Sequence, residues 1–123
     1  MSTESKLLGS EGEDLACDYL LGKGLKIVER NWRCQAGEAD IIAFDNDELA
    51  FIEVKTRRGV NAGFPEEAVT RAKRQRYERI ALSYLADHRI PTTQVRFDVI
   101  AVIVVEPNRA FLRHHYDAFG CGD

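Results

Sequence analysis

The chain has 123 residues, 45% hydrophobic and 30% charged, with 17 basic against 20 acidic side chains and a formal net charge of −3. That length fits one domain with a core of its own, and the mild acidic excess argues against a protein that coats nucleic acid by bulk attraction. Cys17, Cys34 and Cys121 form no CxxC pair, which excludes the usual zinc and disulfide frameworks and favours a reducing compartment.

The opening residues, MSTESKLLGSEGED, lack the basic segment and apolar run of a signal peptide, and no stretch of the chain approaches a membrane span, so a cytoplasmic location is expected. A first helix is predicted over residues 10–22. Ser10 with Glu13 three positions on matches a capping box, Leu15, Ala16, Tyr19 and Leu20 fall at helical spacing, and Gly22-Lys23-Gly24 ends the run. Residues 25–33 read as a strand. Residues 37–45 and 48–56 read as two more, joined at Asn46-Asp47, two residue types that tolerate the left-handed backbone of a tight hairpin. Pro65, Glu66 and Glu67 suit the first turn of a second helix that runs to Asp87, with Pro91 beyond its end. Residues 94–105, QVRFDVIAVIVV, have the continuous apolar character of a strand buried on both faces, and residues 110–116 read as a short edge strand. The order αβββαββ predicts an α/β fold in a single domain over residues 1–123, its core spanning 10–119. Its mixed sheet of four to five strands is flanked by helices.

The hairpin carries the chemistry. With a two-residue turn Asp45 faces Glu48, and the antiparallel register then puts Asp40 opposite Glu53 and Glu38 opposite Lys55. Strand alternation keeps all four on one face. Two opposed carboxylates in a sheet rich in Ile41, Ile42, Phe51, Ile52 and Val54 repel each other, and burial adds to the cost. A cation between them removes both problems. Hard oxygen ligands suit Mg²⁺ or Mn²⁺, and Lys55 beside them suits phosphodiester hydrolysis. The alternative is a surface charge ladder, with Glu38 and Lys55 as a salt bridge and the other two acids solvated.

On the second helix Val69, Lys73, Arg76, Tyr77, Ile80 and Tyr84 fall on one side. A lysine in that core-facing stripe needs a carboxylate, a phosphate or a route to solvent. Arg57, Arg58, Arg71 and Arg74 form either a solvated basic face or a set of phosphate grips. Asp98 interrupts the apolar fourth strand and is expected to form a structural ion pair with Arg96 or Arg33. Trp32 is expected in the core or an interface, Cys17 at a core helix position and Cys34 in a loop. His88, His114 and His115 have no ligand spacing with any partner.

Asp40, then Glu53-Val54-Lys55, resembles the PD-(D/E)XK nuclease signature. Gly12-Glu13, Leu15-Ala16, Asn31-Trp32-Arg33-Cys34, Gly37-Glu38-Ala39-Asp40, Phe51 to Arg57, Phe64-Pro65, Lys73-Arg74, Arg96-Phe97-Asp98-Val99 and Ala118-Phe119 together resemble the YraN family of small bacterial proteins. The family usually has a larger aliphatic residue where this chain has Ala39, which bears on packing beneath the hairpin. The resemblance implies a restriction-endonuclease-like core similar to Holliday-junction resolvases and related to the tRNA-endonuclease group. It implies a Mg²⁺- or Mn²⁺-dependent endonuclease acting on DNA before RNA, branched DNA included, and a homodimer. Asp40, Glu53 and Lys55 are then the catalytic residues. Glu13, otherwise explained by its capping box, joins Asp40, Glu53 and the Val54 carbonyl at the metal, and Glu38 and Lys73 support them. A nucleic-acid-binding module without cleavage, or a protein–protein adaptor, are the other readings of the same fold.

Overall fold

A computed structural model describes residues 3–59, 70–90, 94–105 and 109–118, the side chains of residues 3–8 lying outside that description. The elements are α1 (Thr3–Gly22), β1 (Lys26–Cys34), β2 (Gly37–Asp45), β3 (Glu48–Arg58), α2 (Arg71–Asp87), β4 (Gln94–Val105) and β5 (Arg109–His115), the αβββαββ order expected from the sequence. Five strands form one sheet in chain order. Every neighbouring pair is antiparallel except β3 and β4, which run parallel and are linked through α2. One helix covers each face. Ala16, Cys17 and Leu20 of α1 pack on Ile41, Ala43, Ala50, Ile52 and Ile100. Tyr77, Ile80, Ala81 and Tyr84 of α2 pack on Ile42, Leu49, Phe51 and Val99. β4 is buried on both faces from Asp98 to Val104, as the apolar residues 99–104 require.

The first helix starts elsewhere than the sequence signals indicate. α1 begins at Thr3, so Ser10 lies inside the helix and the expected capping box does not form. The run of Leu7, Leu8 and Gly9 offers no breaker strong enough to stop a helix, and propensity carries it on towards the N-terminus. Its end is as expected: Gly24 takes φ +91°, and the N–H groups of Gly24 and Leu25 return to the carbonyls of Leu21 and Leu20, closing a Schellman turn. α2 begins only at Arg71. Thr70 is extended and caps it, its Oγ1 accepting the Lys73 N–H at 3.0 Å. The predicted start at Pro65, Glu66 and Glu67 lies outside the described residues, as does Cys121. Cys34 ends β1 instead of standing in a loop.

The hairpin register is the expected one, from Asp45↔Glu48 to Ile41↔Ile52, with Asn46 supplying the positive φ of 55° in the turn. The β2–β3 pairing stops there, one residue short of Asp40.

Gly12 sets how closely α1 lies on the sheet: a Cβ there would overlap Thr56 Oγ1 on β3 and lie 2.8 Å from Thr56 Cβ. Replacing a mid-helix glycine by alanine ordinarily stabilises by about 1 kcal/mol. Here overpacking reverses the sign, and Gly12→Ala is expected to cost about 1–3 kcal/mol in a denaturant melt. Thr56→Ala, which removes the obstructing atoms, should restore most of that loss in the double variant. Additive costs would show that the close approach does not set the helix position.

Candidate active centre

The site forms where β2 leaves β3. Asp40 Oδ2 accepts the Val54 N–H at 2.8 Å, so a side chain occupies the place of the next ladder carbonyl. That N–H points along the sheet, towards β2, and the Asp40 carboxylate therefore lies near the sheet plane. The strict alternation expected for β2 fails at this residue. Ile41 packs on the α1 side, yet Ala39 packs on the α2 side. β1 inverts at the same level: Arg30 reaches Asp14 and Glu13 of α1, whereas Trp32 packs edge-on against Tyr84 of α2. Between them Asn31, opposite Asp40 in the β1–β2 register, takes φ +52°. Asn is among the few residues that adopt this conformation at low cost. The small Ala39 is fully buried in that layer.

Glu53 stands on the α2 face, its side chain 11% exposed. Lys73 Nζ donates to its Oε2 at 2.7 Å and the Tyr77 hydroxyl to its Oε1 at 2.9 Å, both from the first two turns of α2. The core-facing lysine has thus found a carboxylate and does not snorkel. Lys55, two residues along β3, approaches Glu53 Oε2 at 3.8 Å and is more exposed. Burial, then the charge and hydrogen bond of Glu53, push the Tyr77 phenol well above the usual tyrosine range, so it donates at any ordinary pH.

Glu13 and Glu38 complete the acidic group. Glu38 pairs with Arg33 at 3.1 Å and not with Lys55 as expected, because the strands have already parted at its level. Glu13 lies 3.7 Å from Arg30. With no capping role left to it, Glu13 is a mid-helix acid on the sheet side of α1. Asp40 feels both layers. Burial first, then the charges of Glu13, Glu53 and Glu38, opposed by the Val54 hydrogen bond, raise its pKa from 3.8 to about 6. Glu13, Glu38 and Glu53 each lie against a cation. Among the described residues Asp40 has the Val54 N–H alone.

The donor set fits a hard divalent cation in part. Asp40 Oδ1 accepts no described hydrogen bond, and each Glu53 oxygen keeps a lone pair beyond its present donor. Among the described residues no three His, Cys, Asp or Glu side chains form a ready-made cage. That is the usual condition of Mg²⁺, which is held by one or two carboxylates together with waters and substrate phosphate.

A model of the uncharacterised protein family UPF0102 matches residues 12–102. The chain belongs to the UPF0102 family. It is 49% identical over 111 residues to a UPF0102 protein of Nocardia farcinica, covering 90% of this chain and 87% of the relative. It is 46% identical over 112 residues to one of Rhodococcus jostii, covering 91% and 95%, and 42% identical over 118 residues to one of Geobacter sulfurreducens, covering 96% and 92%. This is the YraN family indicated by the ordered motifs from Gly12 to Phe119.

The basic residues divide. Arg58 pairs with Glu11 at 3.7 Å, Arg57 and Arg71 are exposed, and Arg74 is half-buried with its Nε lacking a partner among the described residues. Sequence reasoning passed over Tyr77 as a ligand of Glu53, although its position four residues after Lys73 places the two on one helix face. It also left His114 without a role. His114 Nε2 lies 2.8 Å from Asp98 Oδ2, and Nδ1 lies 3.0 Å from the Tyr19 hydroxyl. Asp98 pairs with Arg96 as expected, at 3.0 Å, and Arg96 continues to Asp45 and Glu48. Burial alone would push Asp98 up, but the hydrogen bonds from His114, Arg96 and the Asp117 N–H outweigh it and hold the carboxyl below its usual value. This second network ties α1, the hairpin, β4 and β5 together. Among the described residues no helix is long and apolar enough to cross a membrane.

Two outcomes follow from these charges. The native state raises the Asp40 pKa, so ionising Asp40 opposes folding. The penalty is absent below about pH 4, grows up to about pH 6 and is constant above it, with an upper bound of about 3 kcal/mol. Asp40→Asn should therefore raise the melting temperature at pH 7, with the gain vanishing at pH 4. A pH-independent change would place the cause elsewhere. Lys73→Met strands a buried carboxylate and should cost about 3–5 kcal/mol, whereas Lys73→Met with Glu53→Met should recover most of it. Equal losses in both would show that the pair's charge is not what matters.

Proposed function

We propose that this UPF0102 protein is a metal-dependent phosphodiesterase acting on nucleic acid, with DNA, branched DNA included, as the expected substrate. The reading is carried by Asp40, a half-buried carboxylate crowded by three other acids and, among the described residues, the only one of the four without a cationic neighbour. A divalent cation would correct that imbalance. Asp40 through Oδ1 and Glu53 through its remaining lone pairs are the residues to hold Mg²⁺ or Mn²⁺, with the Val54 carbonyl next to them and Glu13 facing Asp40 from α1. A bound ion supplies neutralisation of the scissile phosphate and a water acidic enough to attack it.

The protein's own groups do the rest. Lys73 and Tyr77 fix the Glu53 carboxylate, so its orientation is set before substrate arrives. Lys55, more exposed on the same face, donates to the attacking water or to a phosphate oxygen as negative charge grows there. Glu38 keeps Arg33 at the rim. A nucleic-acid-binding module without cleavage is the second reading. It is favoured by Glu53, both of whose oxygens already accept protein donors.

The two separate in a cleavage panel over linear, flapped and four-way DNA and their RNA counterparts, with Mg²⁺, Mn²⁺ or chelator. Cleavage should require metal and disappear in Glu53→Gln. Lys55→Ala should lower the rate about 10²–10³-fold while Mn²⁺ affinity, read by calorimetry, stays nearly unchanged. Cleavage that survives both chelator and Glu53→Gln would refute the proposal. Metal-independent binding with no cleavage of any substrate would establish the second reading.

A further inference from the structure

β5 is an edge strand: among the described residues no strand lies beyond it. Its side chains alternate between the two faces of the sheet. Ala110 and Leu112 pack in the α1 layer, and His114 reaches Tyr19 of α1. Arg109, Phe111, Arg113 and His115 therefore face the other way, and all four are exposed. The register carries that face across the sheet to the centre. His115 shares a rung with Val99 and Glu53, Arg113 with Ala101 and Lys55, and Phe111 with Ile103 and Arg57. Neighbouring strands are about 4.8 Å apart, so each β5 residue stands about 10 Å from its β3 counterpart.

The charge on this face is one-sided. β5 gives it Arg109, Arg113 and His115, and β3 gives it Arg57 and the half-buried Lys55. β4, between them, contributes only the buried, uncharged Val99, Ala101 and Ile103. Among the described residues of these three strands, Glu53 is the single acid on the face. The opposite layer is acidic: Glu11, Asp14 and Asp18 of α1 stand exposed there. In a chain of net charge −3, this is a segregation of charge and not a surplus of base. Phe111 interrupts the cations with a side chain 49% exposed. Charged side chains on an edge strand guard it against pairing with another sheet. That duty is met by either sign of charge and is not served by an exposed ring.

We propose that this face of β5 binds an unpaired segment of the nucleic-acid substrate, Arg109 and Arg113 holding phosphates and Phe111 stacking on a base between them. The proposal rests on the phosphodiesterase reading and gives it a substrate contact outside the centre. Cations set alternately with an aromatic ring match a chain that alternates phosphate with base. A base offers its face to a side chain only where it is not stacked in a duplex, so the ring selects unpaired segments. The seven residues of β5 extend about 20 Å, room for several nucleotides. His115 brings the strand to the level of Glu53, and Arg57 and Lys55 flank the same face on β3. Arg58, one residue on, turns to Glu11 of α1 and takes no part.

The test is anisotropy with labelled DNA and RNA strands of one sequence, and with the matching duplex, in chelator so that no cleavage is read. Arg109→Glu and Arg113→Glu should each weaken strand binding about tenfold at low salt and flatten the dependence of log K on log salt by about 0.7 for each phosphate no longer neutralised. Phe111→Ala should weaken strand binding about tenfold and duplex binding less than about twofold. Lys26→Glu, at the start of β1 on the far edge of the sheet, makes the same change in net charge and should leave affinity within about twofold. If Arg113→Glu melts early, Arg113→Gln removes the charge alone and should show a smaller loss in the same direction. Equal weakening by all three reversals, unchanged strand binding in Phe111→Ala, or no binding by the unaltered protein would overturn the proposal. An oligoglutamate peptide that binds as tightly as the DNA strand and loses as much in Arg113→Glu would also overturn it, making the face a docking site for an acidic protein. The expected binding pattern with no cleavage under any metal would sustain the β5 contact and sink the phosphodiesterase reading. Metal-dependent cleavage with an unchanged KM in Arg109→Glu, Arg113→Glu and Phe111→Ala would do the reverse.

Discussion

An N–H buried within a sheet costs free energy until an acceptor meets it. At Val54 that acceptor is the carboxylate of Asp40 and not a carbonyl of β2, and the arrangement of the centre follows from this substitution. A side-chain acceptor reaches further than a backbone one, so β2 stands off from β3 and the ladder ends at Ile41↔Ile52. The released strand reverses its faces, and β1 reverses with it through the left-handed backbone of Asn31. The result is a carboxylate at the level of the sheet, open to charge from α1 on one side and from α2 on the other. Neither face alone could bring Glu13 and Glu53 to bear on one residue.

Among the described residues two buried ionic networks hold this sheet, one on each face of the parallel β3–β4 pair, with Glu53 and Asp98 on neighbouring rungs. Glu53, Lys73 and Tyr77 fasten α2; Asp98, Arg96, His114 and Tyr19 fasten α1 and β5. Apolar residues of equal volume would often serve stability as well, because desolvating the charges cancels most of their attraction. What polar partners add is geometry: each donor accepts only one placement of its acceptor. The Asp98 network is saturated, its carboxylate receiving donors from Arg96, His114 and the Asp117 backbone. The Glu53 network retains lone pairs and lies against the unbalanced charge of Asp40. That difference separates a structural tie from a candidate centre.

The element order, the hairpin register as far as Ile41↔Ile52 and an ion pair at Asp98 were legible because each follows from a local rule, whereas the sequence does not choose between a carboxylate, a phosphate and solvent for Lys73. A two-residue turn fixes the pairs of the ladder for as long as it is undisturbed, here to Ile41↔Ile52, and a buried charge requires a counter-charge. The inversion at Asp40 was not legible, because alternation is a property of an undisturbed ladder and the disturbance is a tertiary event, one side chain taking another strand's N–H. The capping box at Ser10 failed for the converse reason: the local signal was present, but nothing compelled the helix to stop. His114 was hidden because its partners, Tyr19 and Asp98, come from α1 and β4, far from it in the chain, so no spacing along the sequence could reveal them.

Two lysines approach one carboxylate, and their environments divide their roles. Lys73, only 9% exposed, has given its amine to Glu53, and withdrawing it would leave a desolvated charge on each side. It is therefore a fixed part of the scaffold, suited to orientation and unsuited to follow a reacting group. Lys55, 39% exposed and 3.8 Å away, loses little by exchanging Glu53 for another anion. An amine that must meet charge as it develops has to be movable, and the one that sets the geometry must not be. On the proposed phosphodiesterase reading the exchange would be easiest with a cation on Glu53, because the carboxylate would then need Lys55 less just as a phosphate came to need it more.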